Sequence, residues 1–213
     1  ILACGGVGGG SGVWAHMATF SSARRSGFAA WPHLNMTPTT PPVTSPSLPI
    51  HPLTMDAFAP YGEVLCWAGD TGQAINSGTS QRVDLPAGLS LWSEKGRPAL
   101  AVFRAQARAV EGPWQTLERH CLGSQTFVPL TGARCVALVA LGGDTPDAVT
   151  LAAFLVTGQQ GITLRPGVWH HPLIALEAGD FLVIERTAAA VDCEECALPH
   201  AAALRWDAHT GVS

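Results

Sequence analysis

Glu118 and His120 stand two positions apart, so a strand would carry both side chains on one face. A carboxylate beside an imidazole can hold a divalent cation: the ring nitrogen suits nickel, zinc or iron, and the carboxylate adds a hard oxygen. The same pair can also move protons. Glu118 is therefore either a ligand or a general base, and His120 is the first candidate ligand. Farther along, Pro166-Gly167-Val168-Trp169-His170-His171 offers two more imidazoles. Neighbouring strand residues point to opposite sides, so only one of these two histidines is expected to reach a shared site. Gln125 opens the next strand-like run and contributes a carboxamide.

The spacing Gly112-x5-Glu118-x-His120-x4-Gln125-x6-Gly132 resembles the first cupin motif. Glu118 stands where that motif has its first histidine, and Gln125 where it has its glutamate. Pro166-Gly167-x-x-His170 resembles the second cupin motif and favours His170, although a slip of one position would select His171. Longer phrases, LERHCLGSQTFVPLTG (117–132), VALGGDTPD (139–147), GQQGITLRPGVWHHPL (158–173) and DFLVIER (180–186), resemble the ureidoglycolate lyase family. That family is a cupin-like branch of allantoin and purine degradation. The resemblance begins near Pro52-Leu53-Thr54 and continues to about Cys193. It implies cleavage of (S)-ureidoglycolate to glyoxylate and urea, a homodimer, and a divalent metal such as nickel. His120, Glu118 and His170 or His171 are the ligands it implies. Gln125 in place of the motif's glutamate implies a weakly held, exchangeable metal.

Such a substrate carries a carboxylate, a hydroxyl and a ureido group on one carbon. Expelling urea means removing the hydroxyl proton while the departing nitrogen is protonated. Glu118, His120 and His170 are the candidates for that work. A carboxylate head group calls for a planar guanidinium fork, which Arg82, Arg104 and Arg186 could supply. Arg119 is placed apart, since alternation turns it away from Glu118 and His120. Asn76 and Gln125 are candidates for the ureido amide. Three readings follow: a lyase releasing intact urea, an amidohydrolase of the same substrate releasing ammonia, or a cupin-type binding or sensor protein without chemistry.

These residues need strands to position them. Short apolar runs bounded by Gly and Pro fall at 100–107, 115–120, 126–129, 135–140, 151–156, 162–164, 169–176 and 181–185. Eight strands suffice to close a small barrel, so the expectation is an all-β, cupin-like β-barrel or double-sheet jelly roll with the polar residues inside it. A few short helices are expected, the best of them over 56–61 with Thr54 as its cap. Gly142-Gly143-Asp144 and Glu177-Ala178-Gly179-Asp180 read as turns.

Composition narrows the rest. The chain has 213 residues, 47% hydrophobic and only 13% charged, enough for one domain with a sizeable core. A net charge of -4 excludes the basic footprint of a nucleic-acid binder, and no apolar run is long enough to suggest a membrane span. Residues 1–47 read as a disordered extension, a glycine tract over 5–12 followed by a Pro/Thr/Ser segment over 37–49, with the natural start at Met36 or later. The domain is expected over 48–200 and a tail over 201–213. Six scattered cysteines form no framework and read as reduced thiols of a cytoplasmic protein. Cys193-Glu194-Glu195-Cys196 is a lone CxxC without the further ligands that zinc would need.

Overall fold

In the computed structural model, residues 47–86 and 88–206 are described. The extension expected over 1–46 and the end of the expected tail, 207–213, lie outside them. Among the described residues, loops and a few short helical turns join the strands, which predominate. In order these are β1 (Ser47–Pro52), β2 (Gly62–Cys66), β3 (Gln73–Ile75), β4 (Ser80–Arg82), β5 (Arg97–Ala105), β6 (Trp114–Arg119), β7 (Gln125–Pro129), β8 (Cys135–Ala140), β9 (Ala152–Val156), β10 (Gln160–Leu164), β11 (Trp169–His170), β12 (Ile174–Ala175), β13 (Gly179–Thr187) and β14 (Glu194–Trp206). One helical turn, α1 (Met55–Phe58), starts on Thr54, whose hydroxyl accepts from the Ala57 amide at 3.2 Å.

Six strands close on themselves. β8, β9, β1, β14, β6 and β11 are joined in that order, and β11 returns to β8, which completes a ring. β12 continues along the far end of β8. A five-stranded sheet, β2-β10-β7-β13-β5, forms the second layer, and β3 with β4 makes a separate hairpin. The expectation of an all-β cupin-like barrel holds, but the closure takes six strands and the second layer is an open sheet.

β8 shows why both layers hold together. All six of its residues, Cys135 to Ala140, are buried. Val136, Leu138 and Ala140 pack with Ile50, Trp114, Leu117, Trp169 and Leu204, all from ring strands, and so fill the ring. Cys135, Ala137 and Val139 alternate to the other side and pack with Val64, Phe127, Ile162, Phe181 and Val183 of the five-stranded sheet. A strand buried on both faces reads as an unbroken apolar run, which is why its bounds were legible.

Three expectations need correction. The run over 169–176 is two short strands, because Pro172 has no N–H to continue the ladder and separates β11 from β12. Residues 201–206, expected as tail, complete β14, and Ala203 to Trp206 pair with β1 in the ring. They were missed because β14 shifts register between Ala197 and Ala202, which breaks its alternation. Leu48 and Pro49 likewise belong to β1 and not to a structureless segment. The two motif glycines sit at the ends of the β6–β7 segment with positive φ, +90° at Gly112 and +77° at Gly132, where a side chain would be strained.

Candidate active site between the layers

Alternation in β6 sends Leu117 into the ring and Glu118 to the opposite face, toward the second layer. Glu118 is the register partner of His170 on β11, and His170 is in turn the partner of Val139, which also faces the second layer. The polar residues therefore lie on the outer face of the closed ring, between it and the five-stranded sheet. The expected place, inside the barrel, is filled by apolar side chains.

Glu118 Oε1 is 3.5 Å from His170 Nε2, and the His120 and His170 ring centroids are 5.7 Å apart. Glu118, His120 and His170 each bring one ligand atom within 4.8 Å of the others. His170 is 3% exposed; its Nδ1 lies 3.0 Å from the Val168 carbonyl, and its Nε2 lies 2.9 Å from Gln125 Oε1. His120 Nδ1 contacts the Asp192 carbonyl, and its Nε2 is buried with no hydrogen-bond partner. The Asp192 carboxylate accepts from the amides of Cys121 and Leu122, at 2.9 and 2.8 Å, and so anchors the turn that follows His120.

The arrangement fits a cation. A carbonyl oxygen only accepts, so each Nδ1 carries a ring proton; in the neutral ring that binds a cation, each Nε2 then presents its lone pair to the cluster. That is the orientation imposed on metal-binding histidines by a backbone acceptor behind the ring. An unsatisfied buried nitrogen costs about 1–3 kcal/mol, which a bound cation at His120 would offset. Burial pushes the Glu118 carboxyl up, but its hydrogen bond and charge interaction with His170, with the fields of His120 and His171, hold it below the ordinary carboxylate value. Cys193 and Glu195 form a second, more exposed group on Glu118, with Cys193 Sγ 3.9 Å from Glu118 Oε2.

Other expected site residues stand elsewhere. His171 turns away from the cluster, its ring 4.8 Å from that of Trp114 in the ring core, where burial lowers its pKa. Arg82 pairs with Asp84 at 2.7 Å on the β3–β4 hairpin, and Arg104 with Asp180 at 3.1 Å; both are exposed surface ion pairs. Asn76 has φ +51° in the turn of that hairpin, and its carbonyl accepts from Thr79, so it is a turn asparagine in this structure. Arg186 is buried, but its donors go to the Ser93 and Glu94 carbonyls, and Asp192 lies 3.9 Å away; it braces the loop behind His120. Arg119 lies on the side of β6 opposite Glu118, as alternation requires, where it stacks on Trp169 and bonds Glu194.

The sequence reading missed Glu185 and Asp192. Glu185 was detectable: Phe181, Val183 and Glu185 alternate along β13 toward the core, so a charge at the third position had to meet something polar there. It accepts from Gln125 Nε2 at 3.0 Å. A hollow of about 560 Å³ lined by Thr131, Arg134, Thr157 and Glu177 lies on another part of the surface, and its two charges already pair with each other. The chemistry-bearing groups converge at the cluster, which is the better candidate.

Fold and cluster together define a cupin-like β-protein whose polar centre sits between its layers. A family model described as ureidoglycolate lyase matches residues 45–205. The ureidoglycolate lyase of Burkholderia cepacia is 42% identical over 166 residues, 76% of this chain and 93% of the relative. That of Burkholderia mallei (strain NCTC 10229) is 44% identical over 167 residues, 78% and 98%. That of Pseudomonas syringae pv. syringae (strain B728a) is 37% identical over 161 residues, 75% and 95%. The chain belongs to the ureidoglycolate lyase family.

Proposed function

We propose that this protein is a ureidoglycolate lyase, cleaving (S)-ureidoglycolate to glyoxylate and urea within allantoin degradation. The observation that carries the chemistry is the convergence of Glu118, His120 and His170 on one buried point, in a chain that belongs to this family. His120, His170 and Gln125, with Glu118 at the edge, would hold a divalent cation, nickel being the first choice. When bound, that ion polarises the substrate's carboxylate and hydroxyl as a Lewis acid. Glu118, which its surroundings favour as the carboxylate, takes the hydroxyl proton. The carbonyl forms as the carbon–nitrogen bond breaks, and the same proton passes from Glu118 to the departing ureido nitrogen. Glyoxylate and urea leave with protons balanced.

The protein acts as a homodimer in this reading. β5 is an edge strand of the second layer and exposes Leu100 (68%) and Val102 (48%), an apolar edge that a second copy would cover. Free thiols at Cys66, Cys121, Cys135 and Cys196 support a reducing, cytoplasmic location. No helix among the described residues is long and apolar enough to cross a membrane.

The test is product analysis on the purified chain with ureidoglycolate, with and without added nickel. Equimolar glyoxylate and urea without ammonia is the expected result. Ammonia released in place of urea would make the protein an amidohydrolase, and saturable binding without turnover would make it a sensor.

A further inference from the structure

The carboxamide of Gln125 is engaged at both ends, and its two ends are chemically different. Gln125 is 5% exposed. Its Nε2 lies 3.0 Å from Glu185 Oε2, and its Oε1 lies 2.9 Å from His170 Nε2. An ionised carboxylate only accepts hydrogen bonds, so Glu185 requires the amide nitrogen on its side and turns the carbonyl oxygen toward the cluster. With a neutral His170 whose ring proton is committed to Val168, the state in which the ring can bind a cation, Oε1 of Gln125, Nε2 of His170 and the Glu118 carboxylate meet as acceptors. His120 Nε2 adds a fourth acceptor. Four inward-facing acceptors in a buried place repel one another unless a positive charge stands among them.

We infer that Glu185 is a positioning residue for the cation site: it orients the Gln125 amide so that Oε1 is presented as a ligand, and Gln125 serves the ion and not the ureido group. Register supports this. Glu185 and Gln125 are directly paired strand neighbours across β13 and β7, so the contact is fixed by the sheet itself. The inference rests on the proposed cation at Glu118, His120 and His170, and it is tested by binding, independently of turnover.

Nickel affinity is measured by titration calorimetry on the full chain and on E185Q, E185A and the double variant Q125E/E185Q, with melting temperature as a check of folding. Loss of the carboxylate frees the amide to turn over, so E185Q and E185A should each bind nickel about tenfold more weakly, the size expected when an outer partner of a ligand is lost. In the double variant, a carboxylate at position 125 presents oxygen whichever way it turns, and the amide at 185 can donate to it. Nickel affinity should return to at least that of the unsubstituted protein. A structural role for Glu185 would leave the double variant as weak as E185Q. Unchanged affinity in E185Q and E185A, or no nickel binding by the unsubstituted protein, overturns the inference. Nickel binding without cleavage of ureidoglycolate would leave it standing while the proposed function fails. Cleavage without bound nickel would do the reverse.

Discussion

His120 Nε2 is a buried nitrogen without a hydrogen-bond partner, whereas Arg119, one position earlier, has its guanidinium bonded to Glu194 and stacked on Trp169. The two residues should respond oppositely to truncation. H120A should lower turnover about a hundredfold with a comparatively small fall in melting temperature, because it removes a ligand and, on the structural side, the contact with the Asp192 carbonyl. R119A should keep most of its turnover and lose stability through the lost stacking. Equal effects in the two variants would mean that the side of the strand assigned to each is wrong. Cys135 gives a second check at this scale. Burial, then the field of Glu177, pushes its thiol to about 12, while Cys66 and Cys121 are exposed. Iodoacetamide at pH 8 should alkylate Cys66 and Cys121 in the folded protein and leave Cys135 unmodified until denaturant is added. Alternation made Glu118, His120 and Arg119 legible from sequence. Arg82, Arg104 and Asn76 were not, since each is claimed by a surface or turn partner and residue type alone does not reveal the nearest acid.

At the scale of elements, Arg134 at the start of β8 and Glu177 in the turn before β13 tie the two layers at one end. Glu177 accepts from the Arg134 backbone amide at 2.7 Å and from its Nε at 2.8 Å. Burial raises the Glu177 carboxyl, but these hydrogen bonds and the charge of Arg134 outweigh it and hold the group below its ordinary value. The folded state therefore takes up this proton at lower pH than the unfolded chain does. The stabilisation is present above about pH 4.3 and is lost as pH falls through the folded value. In E177Q the melting temperature should be lower at pH 7 and should decline less steeply from pH 5 to pH 3. An unchanged slope would show that Glu177 has no part in acid unfolding. β8 was legible because both its faces are apolar. β14 was not, since its register shift hides a ring strand behind an alanine-rich pattern, and Pro172 divided what read as one strand.

For the whole molecule, the family match runs over 45–205 and the described strands begin at Ser47, so residues 1–35 precede every element that builds the site. Deleting them should leave the rate of urea release unchanged and the melting temperature within about 4 °C, the shift that roughly 1 kcal/mol produces in a chain of this size. A larger fall would assign the glycine-rich segment a structural role. Sequence alone was enough for the fold class and for the proximity of Glu118 and His120. It did not reveal that the barrel closes with six strands and carries its polar cluster outside, because closure depends on which distant strands meet and no local pattern records that.

β11 is two residues long, and it both joins β6 to β8 and supplies His170. The seam of the ring and an imidazole of the candidate site are thus the same dipeptide. Such a seam pairs strands that are not neighbours in the sequence, so loop-closure entropy must be met before the ring can close there. Under the proposed mechanism, a chain in which this seam is unmade would be catalytically silent. Mutations that loosen the seam should then be felt as lost chemistry before they are felt as lost fold, which makes turnover a more sensitive gauge of ring integrity than any spectroscopic measure of strand content.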